Sequence, residues 1–283
     1  MIPTPTRRAF LAASLSAGAA LLAKPETIKV GCQANAWPLQ EGDFDQLINA
    51  IRSMKELGYA GFESNIRFVR GQFDHVGEAR TKLEATGMQF IGAHMSMQQA
   101  MREPFSKLVA GVAQLGAEYI VMSAACLSRD GKFSSDALRS KASQLEALAK
   151  TCREAGIQLC YHNHTPEFAN RNAEIEALAD HTDPQLVHFL MDAGHGYQGG
   201  GDPAAFMLRD SRRIAGCHIK TFREKTKQVP LGQGDFGFEA LAAAIKKTGW
   251  AGWLIDEEGG GPSGGNTAAV APDRQYIRKV FGA

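Results

Sequence analysis

Cysteine is scarce in this chain and has no obvious pairing pattern. The 283 residues include five cysteines, and none of them forms a Cys-x-x-Cys pair. An odd number cannot all pair within one chain, so a disulfide framework is not expected. Cys32, Cys126, Cys160 and Cys217 fall in apolar strand-like runs, where cysteine usually acts as a small buried hydrophobe. The sequence therefore predicts free thiols.

An excess of charge of either sign is also missing. The chain has 31 basic and 30 acidic residues, a formal net charge of +1, and no run rich in Lys and Arg with interleaved aromatics. The composition therefore gives no support for the basic surface that a nucleic-acid partner requires. Two glycine-rich stretches, "QGGGDP" and "EEGGGPSGG", lack the strand-GxxxxGK[ST]-helix context of a phosphate loop, so a nucleotide site is not expected either. Glycines there favour tight or mobile active-site loops.

Long hydrophobic runs are absent except near the N-terminus. Arg7 and Arg8 directly precede an Ala/Leu-rich run that ends near Ala23. The segment resembles a twin-arginine signal, which predicts the export machinery as a partner and a periplasmic or otherwise exported protein. The alternatives are a loose amphipathic helix or an uncleaved anchor, because the run is short for a membrane span. We expect residues 1–24 to be the signal and residues 25–283 the catalytic domain.

One phrase recurs along the rest of the chain: an amphipathic stretch, a glycine, then a β-rich run. It occurs six times, as in "MKELGYAGFES" and "CREAGIQLCYHNH", and reads as helix, C-terminal cap, strand. Hydrophobic content of 44% and the lack of a linker fit one large domain. Eight strands alternating with helices in about 250 residues predict a single (β/α)8 TIM barrel. The predicted strands are Ile28–Asn35, Gly61–Asn65, Gln89–Ser96, Tyr119–Cys126, Gln158–Thr165, Val187–Gly196, Cys217–Phe222 and Gly252–Glu258.

Polar residues occupy the carboxyl ends of these predicted strands, where a barrel of this kind places its chemistry. Five of the eight histidines lie there together with several carboxylates. Imidazole and carboxylate groups from separate strands that point into one mouth are suitable ligands for a divalent cation. The residues are Glu63, His94, His162, His164, Asp192, His195, His218, Lys220, Glu257 and Glu258. The alternative is that each histidine is separately a hydrogen-bonded strand residue.

Several motifs, taken in order, resemble the xylose isomerase-like sugar phosphate isomerase/epimerase superfamily. They are "YHNHTPEF", "MDAGHGYQGGGDP", "CHIKTF", "LGQGDFGF" and "GWLIDEE", and the resemblance extends from about Ile28 to the C-terminus. It implies a single divalent metal, Mn, Co, Zn, Mg or Fe, held by four side chains. Carried over by position, these are His162, Asp192, His218 and Glu257. The resemblance also makes His195 a substrate-contacting histidine.

Two departures from that pattern bear on the reaction. Many epimerases of the superfamily have a glutamate where this chain has His162, and it works with the glutamate of the eighth strand as a second acid/base. Because this chain has His162 in place of that first glutamate, the sequence argues against epimerisation with two opposed carboxylates. Relatives often have an acidic residue at the position of Thr221, which makes Lys220 either a ligand for a substrate oxygen or a solvated lysine. A less negative metal shell favours enediolate chemistry, and fifth strands of the "YHNH" type resemble inosose dehydratase-like proteins and keto-sugar lyases.

The remaining roles are assigned as expectations. Glu257 doubles as a base, His195 and His94 orient or protonate the substrate, and Lys220 holds a peripheral oxygen. His164 is an alternative to His162 as ligand, or supports the site from outside the metal shell. Substrate contacts are expected from Glu63, from Trp37 by stacking on a sugar ring, and from Arg223 in the basic stretch "CHIKTFREKTK". Glu63 could instead be solvated, and Trp37 could simply pack at the mouth.

The sequence thus favours a metal-dependent dehydratase or lyase acting on a keto-sugar, inositol-like or keto-glycoside substrate. An aldose-ketose isomerase or epimerase is the alternative within the superfamily. A multi-zinc endonuclease would need more ligands and a basic face. A non-catalytic carbohydrate-binding barrel would be expected to have an incomplete metal set, whereas here the set is complete. A homo-oligomer is possible.

Overall fold

Eight parallel strands close into a barrel in the structure, a computed structural model that describes residues 27–224, 226–257 and 267–283. In the closed sheet each strand pairs with its neighbours in the order β1-β10-β7-β6-β5-β4-β3-β2. A single (β/α)8 TIM barrel is therefore confirmed. The barrel strands are β1 (Lys29–Gln33), β2 (Gly61–Asn65), β3 (Gln89–Ser96), β4 (Tyr119–Ser123), β5 (Gln158–His162), β6 (Val187–Asp192), β7 (Ile214–Ile219) and β10 (Trp253–Asp256).

Helices follow the strands and cover the outside of the barrel. The first, α1 (Phe44–Glu56), begins where Asp43 accepts a hydrogen bond from the backbone N of Gln46, and it buries Leu47, Ile51 and Met54 on one face. None of the described helices is long and apolar enough to cross a membrane. The others are α2 (Val76–Glu84), α3 (Met97–Arg102), α4 (Phe105–Gln114), α5 (Ser135–Glu154), α6 (Ala169–His181), α7 (Ala193–Gln198), α8 (Pro203–Asp210), α9 (Glu239–Thr248) and α10 (Thr267–Phe281).

Glycine ends five of the six helix-to-strand phrases, as predicted. The glycines at positions 58, 87, 116, 156 and 249 have φ between +63° and +92°, the left-handed region in which glycine carries no Cβ penalty. The sixth assignment, at Gly216, is wrong. This glycine lies inside β7, where a Cβ would come within 2.6 Å of Leu190 Cδ1. It is needed for close packing inside the barrel and does not cap a helix.

Several predicted strands extend too far. β5 ends at His162 and β6 at Asp192, so His164 and His195 lie beyond the strands. The Asp192 side chain accepts from the His195 backbone N and thereby caps α7. Cys126 likewise follows the end of β4. The ends were missed because residues just beyond a buried strand continue its polar and apolar pattern into the active-site loops.

The seventh predicted strand is two separate elements. β7 begins three residues earlier than predicted, and after Lys220 the chain enters an antiparallel hairpin of β8 (Thr221–Arg223) and β9 (Lys227–Val229). The hairpin is outside the closed sheet. Its Gln228 side chain donates to the backbone O of Glu257 at 2.6 Å, which ties the hairpin to the end of β10. The hairpin therefore extends the wall of the barrel mouth.

Apolar side chains fill the lower part of the barrel. Trp253 and Ile255 of β10, Cys160 of β5 and Leu190 of β6 belong to one buried cluster, separate from the main core between sheet and helices. We call this cluster of Trp253, Ile255, Cys160 and Leu190 the plug. A Cβ on Gly61 would lie 2.7 Å from the Trp253 ring, so the absence of a side chain at Gly61 leaves space for the plug. Side chains two positions further along a strand point to the same face. The residues above the plug therefore line the mouth.

The five cysteines are all free, in agreement with the prediction. Cys32, Cys152, Cys160 and Cys217 are buried, while Cys126 is half-buried. Cys152 lies on α5, and burial raises the pKa of its thiol to about 12. The buried thiols act as packing groups.

Candidate active site

The inward positions directly above the plug carry polar residues on most strands. Side chains two residues apart on a strand face the same way, so His162 lies directly above Cys160 on β5 and Asp192 lies above Leu190 on β6. The same step leads from Gly216 to His218 on β7. His162, Asp192 and His218 are all buried. The alternation that places apolar residues at the bottom thus places ionisable groups together at the top.

Four of these side chains form a compact group of donor atoms. His162, Asp192, His218 and Glu257 each offer one ligand atom, and these atoms lie within 4.8 Å of one another. His218 Nδ1 is 2.7 Å from Glu257 Oε2, and His162 Nε2 is 3.9 Å from Asp192 Oδ2. They are the four residues that the resemblance implied as metal ligands.

The donor set fits a divalent ion. Metal bonds to imidazole nitrogen and carboxylate oxygen are about 2.0–2.2 Å long, so ligands on opposite sides of an ion are about 4 Å apart. The spacing of the group is of this size. Burial, together with the neighbouring His218, holds the pKa of His162 well below its ordinary value, so this imidazole is neutral and able to coordinate. Mixed nitrogen and oxygen donors suit zinc and several other divalent ions.

Glu63 and His94 extend the group toward β2 and β3. Glu63 Oε2 lies 2.7 Å from His218 Nε2 and 2.7 Å from His94 Nε2. The Glu63 side chain is completely buried, and that of His94 is 13% exposed. The solvated position that was considered for Glu63 is thereby excluded. Glu63, His94 and His218 form a second close group of donor atoms that shares His218 with the first.

Lys220 is buried in the same mouth, so the alternative of a solvated lysine is wrong. Its Nζ lies 2.7 Å from Asp192 Oδ2 and 2.8 Å from Glu257 Oε2. The ammonium group is therefore neutralised by two of the candidate metal ligands, even though Thr221 replaces an acidic neighbour. A cation fixed at this point can stabilise negative charge that develops on a substrate.

The charges of the mouth shift its pKa values in opposite directions. Burial alone would lower the pKa of His218, but the carboxylates of Glu257 and Glu63 raise it to about 10. Burial would raise the pKa of Glu257, but Lys220 and His218 hold it well below its usual range. For Lys220, burial is again outweighed, by Asp192 and Glu257, and its pKa is raised. The mouth is thus a set of mutually stabilised ions.

His164 and His195 lie at the rim, beyond the strand ends. The ring centroid of His164 is 5.1 Å from that of His162 and 5.3 Å from that of His195. His195 Nδ1 lies 2.9 Å from Thr165 Oγ1 and 3.0 Å from Gln198 Oε1, and its ring stacks on Phe222 of the hairpin. His164 is exposed and is outside both close donor groups of the described residues. The geometry therefore favours His162 over His164 as a ligand.

Trp37 and Arg223, which were expected to contact the substrate, both make contacts within the protein. Trp37 is half-buried and packs against the hydrophobic core. The Arg223 guanidinium donates to the backbone O of Gln233, with its Nη2 at 2.8 Å, and so holds the loop that follows the hairpin. Glu258, the loop "GGGPSGG" and the predicted signal at residues 1–24 lie outside the described residues.

The sequence reasoning missed Asn163, which lies between the two histidines of "YHNH". Its side chain is buried, donates to the backbone O of Asp192 at 3.0 Å and accepts from the backbone N of Asp192 at 2.8 Å. The amide thus extends the pairing of β5 and β6 by one step and fixes Asp192 relative to His162. A polar residue at the outward-facing end of a buried strand is the signal that could have revealed it.

A buried polar network behind β5 was also missed. Lys141 Nζ donates to Glu174 Oε1 at 2.6 Å and to the Tyr161 hydroxyl at 2.7 Å. The Tyr161 hydroxyl donates to Glu167 Oε1 at 2.8 Å, and Glu167 Oε2 accepts from the His164 backbone N at 3.3 Å. The network joins α5 and α6 to the segment that carries both histidines.

Curated relatives resemble this chain over nearly their whole length. An inosose dehydratase of Mesomycoplasma hyopneumoniae strain J is 27% identical, with 91% of this chain and 98% of the relative covered. An inosose dehydratase of Bacillus cereus strain AH820 is 25% identical, with 92% and 99% covered. The relatives are enzymes, and the similarity includes the region that forms the mouth.

Solved structures share the fold at lower identity. The IolI protein with a bound zinc atom superimposes with a TM-score of 0.71 at 14% identity, covering 90% of this chain and 98% of its own. The sequence pattern of one family matches residues 51–280, which is most of the chain and includes seven of the eight barrel strands. The protein belongs to the xylose isomerase-like TIM barrel family.

Proposed function

We propose that this protein is an exported, metal-dependent dehydratase of a keto-sugar, with a keto-inositol as the first candidate substrate. The observation that carries the proposal is the convergence of His162, Asp192, His218 and Glu257 beside the buried ammonium of Lys220. The choice of reaction is supported by relatives named inosose dehydratase, to which this chain is similar over nearly their full length.

Dehydration next to a carbonyl requires three things of a site: a base for the proton, stabilisation of the negative charge that follows, and an acid for the departing hydroxyl group. A divalent ion held by the four donors would act as a Lewis acid on the carbonyl oxygen. Lys220 adds a fixed positive charge at the same place. Glu257 uses Oε2 for its short contacts with His218 and with Lys220. We therefore assign its other oxygen, Oε1, to removal of the proton next to the substrate carbonyl.

We assign the acid role at the rim to His195. Its ring is held by Thr165 and Gln198, and it lies beside the ring of His164. A histidine can carry a proton near neutral pH, which suits protonation of a leaving hydroxyl. His162 stands where many epimerases have the second glutamate, so the described residues offer no carboxylate at that position of β5 to reprotonate the substrate on the other face. This supports loss of water over epimerisation.

The test is the mass of the product. The protein, loaded in turn with zinc, manganese, cobalt or magnesium, is incubated with a keto-inositol in D2O and analysed by mass spectrometry. We expect a product that has lost one water. A product of unchanged formula that has gained deuterium would show an epimerase or isomerase instead. No conversion and no exchange with any of these metals would overturn the proposal for this substrate class.

Asp192→Ala is the matched control. It removes one donor and one partner of Lys220, and we expect both the activity and the bound metal to be lost together. Retention of full activity in this variant would show that the reaction takes place elsewhere.

A further inference from the structure

The carboxylate of Glu63 contacts two imidazoles of the mouth through one oxygen. It comes from β2 and is completely buried, yet Oε2 is 2.7 Å from Nε2 of both His94 and His218. The two rings are stacked with centroids 5.2 Å apart. One oxygen therefore meets two imidazoles that come from β3 and β7.

The chemistry of these contacts fixes the direction of both hydrogen bonds. A carboxylate oxygen accepts hydrogen bonds and cannot donate them, so the proton of each bond is on the imidazole. Nε2 of His218 is bound to Glu63, and Nδ1 lies 2.7 Å from the carboxylate of Glu257, so by the same rule both nitrogens donate. A metal held by Glu257 would replace the proton of Nδ1, because Nε2 stays bound to Glu63. Both observations point the coordinating side of the ring toward the four-donor group.

We propose that Glu63 is a positioning residue that fixes His218 as an Nδ1 ligand and holds His94 with its Nε2 as a donor. The inference rests on one part of the proposed function, the binding of a metal by the four-donor group, and does not depend on the reaction. The bond to Glu63 also occupies Nε2 of His94, so Nδ1 is the ring nitrogen that His94 can offer to a substrate.

His162 provides an internal comparison. Its Nδ1 is buried and has no hydrogen-bond partner among the residues that the structure describes. A ligating histidine usually donates its second nitrogen to a carboxylate, carbonyl or water, which orients the ring. Of the two candidate histidine ligands, His218 thus has a carboxylate partner in the described part of the chain. Loss of Glu63 should therefore act on the His218 side of the site.

The test is Glu63→Gln, which keeps the shape of the side chain but removes its charge. Zinc affinity is measured by competition with a chelator, zinc content by mass spectrometry, and the histidine rings by 15N NMR. We expect one zinc per chain in both proteins and an affinity lower by roughly tenfold to a hundredfold in the variant. The neutral amide oxygen of glutamine is a weaker acceptor than the carboxylate, so the Nε2–H signals of His94 and His218 should shift and exchange faster with solvent in the variant, in metal-free and in zinc-loaded protein.

Glu118→Gln is the control. Glu118 Oε2 accepts from Trp253 Nε1 at 3.2 Å on the plug side of the barrel, so this change should leave zinc affinity and both signals unaltered. Wild-type affinity in Glu63→Gln, with Nε2–H signals that have the same shifts and exchange rates as in wild type, would overturn the inference. Two zinc ions in the wild type and one in the variant would also overturn it, by making Glu63 a ligand. If wild type binds no zinc, the proposed function fails for zinc, while the metal-free NMR signals still decide the role of Glu63.

Discussion

At the scale of single residues, the choice between the histidines of "YHNH" follows from where β5 ends. His162 is the last residue of the strand and points into the mouth, whereas His164 lies beyond the strand and is exposed. A two-residue step in sequence would keep both on one face only if the strand continued. The difference in their roles therefore depends on a strand boundary, and boundaries are the least certain part of a sequence-based prediction.

This difference leads to a prediction for zinc binding. If His162 is a direct ligand, as we propose, His162→Ala should weaken zinc binding by at least the roughly tenfold to hundredfold that loss of an outer partner costs. His164→Ala, the matched control, should keep the affinity within about a factor of three of wild type. Chelator competition measures both. A larger loss in His164→Ala than in His162→Ala would reverse the assignment.

Asn163 leads to a second prediction at this scale. Asn163→Ala leaves a buried backbone N–H and C=O of Asp192 without their side-chain partner, and each such loss costs about 1–3 kcal/mol. We expect unfolding in urea to show a loss of about 2–6 kcal/mol, together with weaker zinc binding because Asp192 is no longer fixed.

Asn172 offers a control for that experiment. Its side chain makes the same pair of bonds to the backbone of Asp202, at 3.0 and 2.8 Å, away from the four-donor group. Its φ of +64° makes alanine strained there as well. Asn172→Ala should therefore destabilise the protein at least as much and leave zinc affinity unchanged. Equal losses of zinc affinity in both variants would attribute the effect to stability alone.

At the scale of elements, α5 and α6 are joined to β5 by a buried ion pair. The side chains of Lys141 and Glu174 are 5% and 0% exposed, and Glu174 also accepts from the backbone N of Leu127. Removing one member of a buried pair leaves an uncompensated charge, which costs about 3–5 kcal/mol. Because Tyr161 is part of the network, the pair also supports the strand that carries His162.

We therefore predict that Lys141→Met lowers the free energy of unfolding by about 3–5 kcal/mol. The double variant Lys141→Met, Glu174→Leu should lose less than Lys141→Met alone, because no charge is left buried. Arg80→Ala breaks an exposed helix pair with Glu84 and should cost about 0.5 kcal/mol or less. Urea denaturation measures these variants and the single variant Glu174→Leu, which completes the comparison. A double variant that loses the sum of the two single changes would show that the pair is not coupled.

The pattern of elements could be read from the sequence because it is local. Glycine stops and strand alternation are set by neighbouring residues, and five of the six glycine stops were predicted correctly. The hairpin of β8 and β9 was missed, since "HIKTF" continues one apolar strand pattern across the break at Lys220. The bond between Glu63 and His218 joins residues 155 positions apart and depends on the register of several strands. No local pattern carries that information.

At the scale of the whole molecule, the location of the protein rests on residues 1–24, which lie outside the described residues. If the segment is a twin-arginine signal, Arg7→Lys with Arg8→Lys should stop export, because the adjacent arginines are the feature that the machinery reads. Cell fractionation and immunoblotting measure this. The unaltered chain in the periplasm is the expected control, and unchanged export of the double variant would refute this signal type.

The final prediction concerns stability with and without metal. A ligand that binds only the folded state, present at a hundred times its Kd, stabilises the protein by about 2.7 kcal/mol. For a domain near this size each kcal/mol shifts Tm by about 2–4 °C, so zinc should raise Tm by about 5–10 °C over protein treated with chelator.

Asp192→Ala separates the four-donor group from other zinc sites. It should abolish the Tm shift, because it removes one of the four proposed ligands, the one that Asn163 fixes relative to His162. Lys82→Ala, an exposed change far from the mouth with partners Asp45 and Glu78, should retain the shift in full. Scanning calorimetry with zinc and with chelator gives all the values. An equal shift in Asp192→Ala and wild type would place the zinc outside the barrel mouth, and the four buried donors would then be a structural network of the fold.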